Sequence, residues 1–249
     1  MQKYYHFYEK SYENFTPDWF SESNAKKIEL FLKENTESLK KFIESYERQF
    51  DWADDFLKGK EVLVTGCGFG GLCHYLESKG AIVTGVDVSK LAISGAQEIK
   101  KLFGRHSTFK CLDMTEKNNL GSYDLIFDDH LFHCLATKPD RLNYLRQLKS
   151  MLSPDGLIFI ESMAFHSGLQ VPVEYNFDDE SILWKNDIMV RKIADSIEIE
   201  NEVKESGLFI NYLYFHSELS FQAFPEYKNY PSHFEPKTIR LTCKAENPY

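Results

Sequence analysis

From residue 59 onward the chain switches repeatedly between two hydrophobic periods. Short, apolar, β-branched runs at 61–65, 81–86, 108–112, 123–127 and 157–160 read as strands. Between them, 71–79, 90–103 and 138–152 carry apolar residues at steps of three and four, the period of a helix buried along one face. Alternation of this kind predicts a parallel sheet with crossover helices on both faces. The end of the chain breaks the rule. A helix over 197–206 stops at Gly207, and strands at 208–215 and 238–244 are joined by a loop holding Pro225, Pro231 and Pro236. Two strands joined without a helix form a hairpin and insert antiparallel. The predicted architecture is α/β, with a seven-stranded, mostly parallel sheet closed by a C-terminal antiparallel hairpin.

The first 58 residues follow another pattern. Tyr5, Phe7, Tyr8, Tyr12, Phe15, Trp19 and Phe20 crowd the start, and Pro17 interrupts any continuous helix there. From 23 to 50, Ile28, Phe31, Leu32, Leu39, Phe42, Ile43, Tyr46 and Phe50 share one helical face, as one long helix or two shorter ones. The expected division is a helical cap or lid at 1–58 and a sheet domain at 59–249, with an insertion at 163–195.

The strongest chemical signal sits where the first strand ends. Residues 61–71 read Glu-Val-Leu-Val-Thr-Gly-Cys-Gly-Phe-Gly-Gly, and Gly-Val-Asp-Val-Ser follows at 85–89. A turn at Gly66 and Gly68 needs backbone conformations that a Cβ obstructs, and it leaves bare main chain for a ligand to lie against. Asp87, at the end of the second strand, is placed to accept both hydroxyls of a ribose. The pairing indicates a nucleoside-containing cofactor. Dinucleotide sites space their glycines as G-x-G-x-x-G; here they fall at 66, 68, 70 and 71, a shorter turn.

Val-Leu-Val-Thr-Gly-Cys-Gly-Phe-Gly, Val-Thr-Gly-Val-Asp-Val-Ser, Tyr-Asp-Leu-Ile-Phe-Asp-Asp and Leu-Lys-Ser-Met-Leu-Ser-Pro-Asp-Gly-Leu-Ile-Phe-Ile-Glu together span the central hundred residues. In these stretches the chain resembles the class I S-adenosylmethionine (SAM)-dependent methyltransferases, whose sheet is Rossmann-like. Among them it looks most like the small-molecule enzymes around the thiopurine and thiol S-methyltransferase-like group. The resemblance implies SAM as cofactor, with Gly66, Cys67, Gly68 and Gly70 forming its loop and the first three meeting the methionyl part. It implies Asp87 on the ribose, Val88 beside the adenine, Asp113 at the adenine amino group with Met114 flanking the ring, and Asp128 facing the sulfonium end. Val64 departs from the pattern, since many relatives carry an acid two residues before the first glycine. Asp128-Asp129-His130-Leu131 also lacks the Asn/Asp-Pro-Pro-Tyr/Phe of amino methyltransferases, which disfavours that chemistry.

Composition narrows the partners. The charge is −9 over 249 residues, and 168–235 alone carries −8, so no basic groove for nucleic acid is in view. Five scattered cysteines without a C-x-x-C suit a reducing compartment. With no signal-peptide pattern and no membrane-length apolar run, a cytoplasmic protein is expected. The expected partner is a small-molecule acceptor, with no nucleic acid, no membrane, and a monomer or weak homodimer as the assembly.

Methyl transfer from a sulfonium is an in-line displacement that needs alignment and exclusion of water. A base is required only if the acceptor arrives protonated. Asp129 and His133, just past the fourth strand, are the catalytic candidates, although a buried structural role suits His133 equally. His130, His166 and Arg191 are candidates for holding the acceptor, the last through a carboxylate. Trp19 or Phe20 reads either as core or as one wall of the acceptor pocket under a lid. No third separated ligand accompanies the two histidines, so no metal is expected. Cys67 reads as a small loop residue rather than a nucleophile. Sulfur or a related soft nucleophile leads as acceptor atom, with amine nitrogen or carboxylate behind. The alternatives are an NAD(P)-dependent oxidoreductase and a SAM-binding regulatory protein without turnover.

Overall fold

The computed structural model describes residues 5–52, 55–216 and 236–245; Pro225, Pro231 and part of the acidic stretch lie outside them. The chain opens with α1 (Tyr5–Tyr12) and α2 (Ala25–Gln49), with single turns of tighter helix at Pro17–Phe20 and Glu22–Asn24. Then come β1 (Glu61–Thr65), α3 (Gly71–Ser78), β2 (Ile82–Asp87), α4 (Lys90–Leu102), β3 (Thr108–Cys111) and β4 (Tyr123–Asp128). A short helical turn at Phe132–Cys134 leads to α5 (Lys138–Ser150) and β5 (Leu152–Ala164). The remainder is β6 (Tyr175–Phe177), β7 (Ile182–Lys185), β8 (Ile188–Lys192), α6 (Ser196–Glu205), β9 (Phe209–His216) and β10 (Lys237–Lys244).

Seven strands form the central sheet in the order β3-β2-β1-β4-β5-β10-β9. β1 to β5 run parallel, while β10 lies antiparallel to both β5 and β9. β1 sits at the centre of the five parallel strands and is buried on both faces beyond Glu61, the reason its sequence reads as a continuous apolar run. Ser89, Thr137 and Asp195 cap α4, α5 and α6 through side-chain oxygens that accept backbone N–H bonds.

Three features sharpen the sequence expectation. β5 begins at Leu152 rather than at 157. Tyr123 pairs with Leu152 but Leu125 with Leu157, so 153–156 bulge out between two strand pairs. The Ser-Pro-Asp-Gly that reads as a helix stop is also the bulged entry to the strand. Second, 163–195 holds a three-stranded antiparallel sheet, β6-β7-β8, whose tight β7–β8 turn places Asn186 and Asp187 at positive φ. Third, α2 is one helix. Its Leu39, Phe42, Ile43 and Tyr46 share a core with Val62, Val64, Leu72 and Phe159, so it serves as a layer of the sheet domain.

Candidate active site

The carboxyl ends of β1 to β4 meet at one edge of the sheet, the place where open α/β folds bind ligands. A cleft of about 190 Å³ opens there. Its floor is the turn after β1. Gly66 takes φ +70° and approaches the opposite wall so closely that a Cβ would stand 3.0 Å from the Leu131 Cβ. Gly68, at φ +50°, donates its N–H to Asp87 Oδ2 at 2.9 Å, and Ser89 N–H donates to Oδ1 at 2.9 Å. Asp87 thereby cinches the glycine turn to the end of β2. Burial pushes its pKa up against the opposing pull of these amides.

Beyond Asp87 the cleft is lined by Val88, Leu112, Asp113, Met114 and Leu135, an apolar slot with a carboxylate at its rim. Asp113 is fixed by Thr115, whose N–H and hydroxyl both donate to Oδ1, at 2.9 and 2.7 Å. The other end is lined by Gly66, Asp129, His130 and Cys134, with Tyr8 and Tyr12 of α1 above. Tyr12 brings its hydroxyl over Gly68, where a Cβ would stand 3.0 Å from it. The Tyr8 hydroxyl donates to Val190 O at 2.7 Å, tying α1 to β8. Around the whole cleft Asp87, Asp113, Asp129 and Asp140 supply carboxylates, and no lysine or arginine lines it among the described residues. Burial, reinforced by neighbouring carboxylates and opposed by His130, pushes Asp129 up to about 7.

His130 follows directly, with φ +65°, a conformation few non-glycine residues adopt. Its Nε2 lies 2.9 Å from Glu161 Oε1, and Glu161 is fully buried. Arg240, opposite Glu161 in the β5–β10 register, donates from Nε to Oε2 at 2.5 Å and from Nη2 to Ser38 O at 2.7 Å.

The predicted site residues therefore divide. Gly66, Asp87, Val88, Asp113, Met114, Asp129 and His130 come together around the cleft, with Gly68 beneath Tyr12. Asp128 lies behind it, fully buried, with Oδ1 accepting from Phe132 N–H at 2.8 Å and from the Tyr144 hydroxyl at 2.7 Å. Burial raises its pKa to about 7. Strand alternation turns Asp128 inward and Asp129 outward. Cys67 points its Sγ toward Gly85 and away from the ligand side. Gly70 caps α3 in the left-handed region, and a Cβ there would sit 2.6 Å from the Phe109 ring; its role is in packing. His133 is buried behind the cleft and accepts from Met163 N–H at 3.5 Å. Burial, then the charges of His130 and Arg191, hold its pKa well below the usual histidine value.

Arg191 is buried on β8, with Nη1 3.6 Å from Met163 Sδ, and does not line the cleft. His166 turns into its own loop, where Nδ1 accepts from Gly168 N–H at 3.2 Å. Trp19 and Phe20 pack with Phe15 and Phe31 around Phe69, away from the cleft. The walls that sequence reading missed are Tyr8 and Tyr12. Their i, i+4 spacing puts them on one helical face, but Phe15 and Trp19 share that spacing, so it does not single them out. Glu161 and Arg240 carry no local signal, since the strand register alone brings them to His130.

A sheet of this order with a glycine turn and a ribose-ready carboxylate at its central edge defines a nucleoside-cofactor protein of the methyltransferase type. The chain belongs to the family described as Methyltransferase domain, which matches residues 57–210. Ubiquinone biosynthesis O-methyltransferase of Vibrio campbellii is 29% identical over 111 residues, 44% of this chain and 46% of that protein. The Coxiella burnetii (Dugway) protein of the same name is 32% identical over 108 residues, 43% of this chain and 45% of that one. The chain thus spans about half the length of the curated relatives it matches. PH0226 protein from Pyrococcus horikoshii superposes with a TM-score of 0.63 at 15% identity, over 95% of this chain and 99% of that one. An S-adenosylmethionine-dependent methyltransferase from Clostridium acetobutylicum gives 0.60 at 16%, over 84% and 100%. At such identities these two establish the fold. Among the described residues no helix is long and apolar enough to cross a membrane.

Proposed function

We propose that the protein is a SAM-dependent methyltransferase acting on a small molecule. The observation that carries this reading is the charge of the cleft: four carboxylates and no lysine or arginine among its described lining residues. A dinucleotide would bring a diphosphate dianion into that field, whereas SAM, with a sulfonium, an ammonium and one carboxylate, brings a net positive charge. The start of α3, where a dinucleotide rests its pyrophosphate, is also covered: a Cβ on Gly71 would meet Thr36 Cγ2 of α2 at 2.8 Å. The residues present fit SAM. Asp87 would hold the ribose, Val88 and Met114 would flank the adenine with Asp113 at its rim, and Asp129 would face the positive end. The bound cofactor supplies an electrophilic methyl group, and the chain's own task is to orient the acceptor beneath Tyr8 and Tyr12 and keep water out.

For the acceptor, the relatives named O-methyltransferases support oxygen, against the sulfur favoured by the thiopurine-like resemblance. Domain organisation follows the same reading, with α1 as the lid and the 163–195 insertion bracing it through Val190 O, which accepts from the Tyr8 hydroxyl. The test is equilibrium titration with SAM, NAD+ and NADP+. Micromolar SAM binding without nicotinamide binding is expected. Asp87→Ala should weaken SAM by roughly 1.5–3 kcal/mol by removing charge-assisted hydrogen bonds. Unchanged affinity in a folded variant would sink the cofactor assignment.

A further inference from the structure

His130 lines the cleft at the end opposite the adenine slot, and its imidazole is the one basic side chain among the described lining residues. It is held from behind by a chain of buried groups that do not themselves line the cleft. Glu161 on β5, with no exposed surface, engages one carboxylate oxygen with His130 Nε2 at 2.9 Å and the other with Arg240 Nε at 2.5 Å. Arg240 is anchored in turn to Ser38 O of α2 and lies over the Phe42 ring at 5.2 Å. A buried ion pair costs desolvation, and hydrophobic residues often replace one at no loss of stability. Here one member of the pair reaches out to a histidine in the cleft, held at positive φ. Resting on the methyltransferase reading, we infer that His130 is the proton acceptor for a hydroxyl-bearing substrate, with Glu161 and Arg240 as positioning residues that fix its ring and favour its charged form.

The step balances as follows. The acceptor O–H bond breaks and its proton passes to Nδ1 of His130, the ring nitrogen not directed at Glu161. An oxygen lone pair forms the new O–CH3 bond as the CH3–S bond breaks, and that electron pair stays on sulfur as a neutral thioether. One positive charge disappears from the sulfonium and one appears on the imidazole, where the Glu161 carboxylate already lies. The proton then leaves to water when the cleft opens. A thiol or amine that ionises or arrives neutral on its own needs no such group, so the arrangement selects for hydroxyl acceptors.

The groups that face His130 are Glu161 of β5 backed by Arg240 of β10, His133 and Cys134 of the short helix, Asp128 and Asp129 of its own strand end, and the lid tyrosines Tyr8 and Tyr12. Burial alone would lower the His130 pKa; the Glu161 bond and charge, with Asp129 and Asp128, outweigh it and hold the pKa above the usual histidine value. Glu161 is held below the usual carboxylate range, since His130 and Arg240 overcome its burial. His133, beside it, accepts from Met163 N–H and goes the other way, because burial and then the charges of His130 and Arg191 lower its pKa.

The experiment uses the full chain labelled at histidine and followed by NMR across pH, with His130→Asn to identify the resonance, because Asn tolerates positive φ. His130 should titrate above ~6.5, the ordinary histidine value. Glu161→Gln should move it down by about one pH unit or more, and Arg240→Gln should move it up, since a neighbouring cation is lost. Damage to packing alone would not produce opposite shifts from two members of one pair. Initial rates at saturating SAM are then read with catechol, whose hydroxyls are protonated at neutral pH, and with the more acidic 4-nitrocatechol. His130→Asn should cost about 10²-fold in kcat with catechol, far less with 4-nitrocatechol, and leave SAM affinity within a few-fold.

A His130 that does not titrate between pH 6 and 8, or equal losses with both catechols, overturns the proposal. A parent that binds SAM but turns over neither catechol overturns the hydroxyl assignment. Failure to bind SAM at all would instead strike the methyltransferase reading, leaving the histidine titration to be judged by itself.

Discussion

The two ends of the cleft are built in opposite ways. The cofactor end is local: Gly66, Gly68, Asp87, Val88, Asp113 and Met114 lie within 49 residues, each at or just past the carboxyl end of one of three adjacent strands. The acceptor end is assembled from afar. Tyr8 comes from α1, His130 and Cys134 from the turn after β4, Val190 from the small sheet, and Glu161 and Arg240 from strands whose pairing spans 79 residues. A ribose and an adenine are constant ligands that a single strand–turn–strand unit can satisfy. An acceptor is held by whatever segments the rest of the chain brings over that unit, so identity of the acceptor is written in contacts of long sequence separation.

The sharpest way to break this comparison is to exchange the roles of two loop glycines. Gly70→Val forces a side chain into φ +83° and into the Phe109 ring at 2.6 Å, and should cost more than about 4 kcal/mol or prevent folding, as read by chemical denaturation. Gly68→Val points toward the Tyr12 hydroxyl; it should leave a folded protein that no longer binds SAM. Similar stability in both variants would erase the distinction between a packing glycine and a binding one.

Next in size is the layer beneath the cofactor end. His74 is 7% exposed, and neither ring nitrogen has a hydrogen-bond partner among the described residues; burial, then Arg105, lower its pKa to about 4. The unfolded chain takes up this proton near pH 6.5 and the folded one only near 4. The folded state is therefore at full stability above 6.5 and loses up to about 3 kcal/mol as pH falls to 4. His74→Gln should flatten that part of the stability profile, and an unchanged profile would place the acid sensitivity elsewhere.

Asp129 joins the two ends. Its pKa of about 7 means that it must lose a proton to meet a cation, so SAM affinity should rise with pH and level off above 7. Between pH 7 and 6 the loss should be about fivefold, ~1 kcal/mol. Calorimetry on Asp129→Asn should show weaker binding without this slope, and a slope that persists would assign it to another group. The smallest effect belongs to the lid. Tyr8→Phe removes one hydrogen bond, to Val190 O, and should raise the acceptor KM a few-fold, in keeping with about 1 kcal/mol. An unchanged KM would detach α1 from acceptor binding.

Sequence alone made legible the sheet and the residues we propose for the cofactor end. Hydrophobic period specifies strand and helix over short windows, and a glycine turn followed by a strand-end carboxylate is a local geometry that neighbouring residues impose on one another. It left the early aromatics undivided, because Trp19 and Tyr12 have similar local settings; both pack on Phe69, and only the tertiary packing also brought the Tyr12 hydroxyl over Gly68. It offered Asp128 and Asp129 as neighbours, and the pleat, by turning successive side chains to opposite faces, decided which lines the cleft. It offered His130 as a candidate for holding the acceptor and His133 as a catalytic one. Tertiary structure gave one a buried carboxylate at 2.9 Å and the other a backbone amide, because Glu161 and Arg240 reach the site through strand register, a relation between distant segments that no local pattern records.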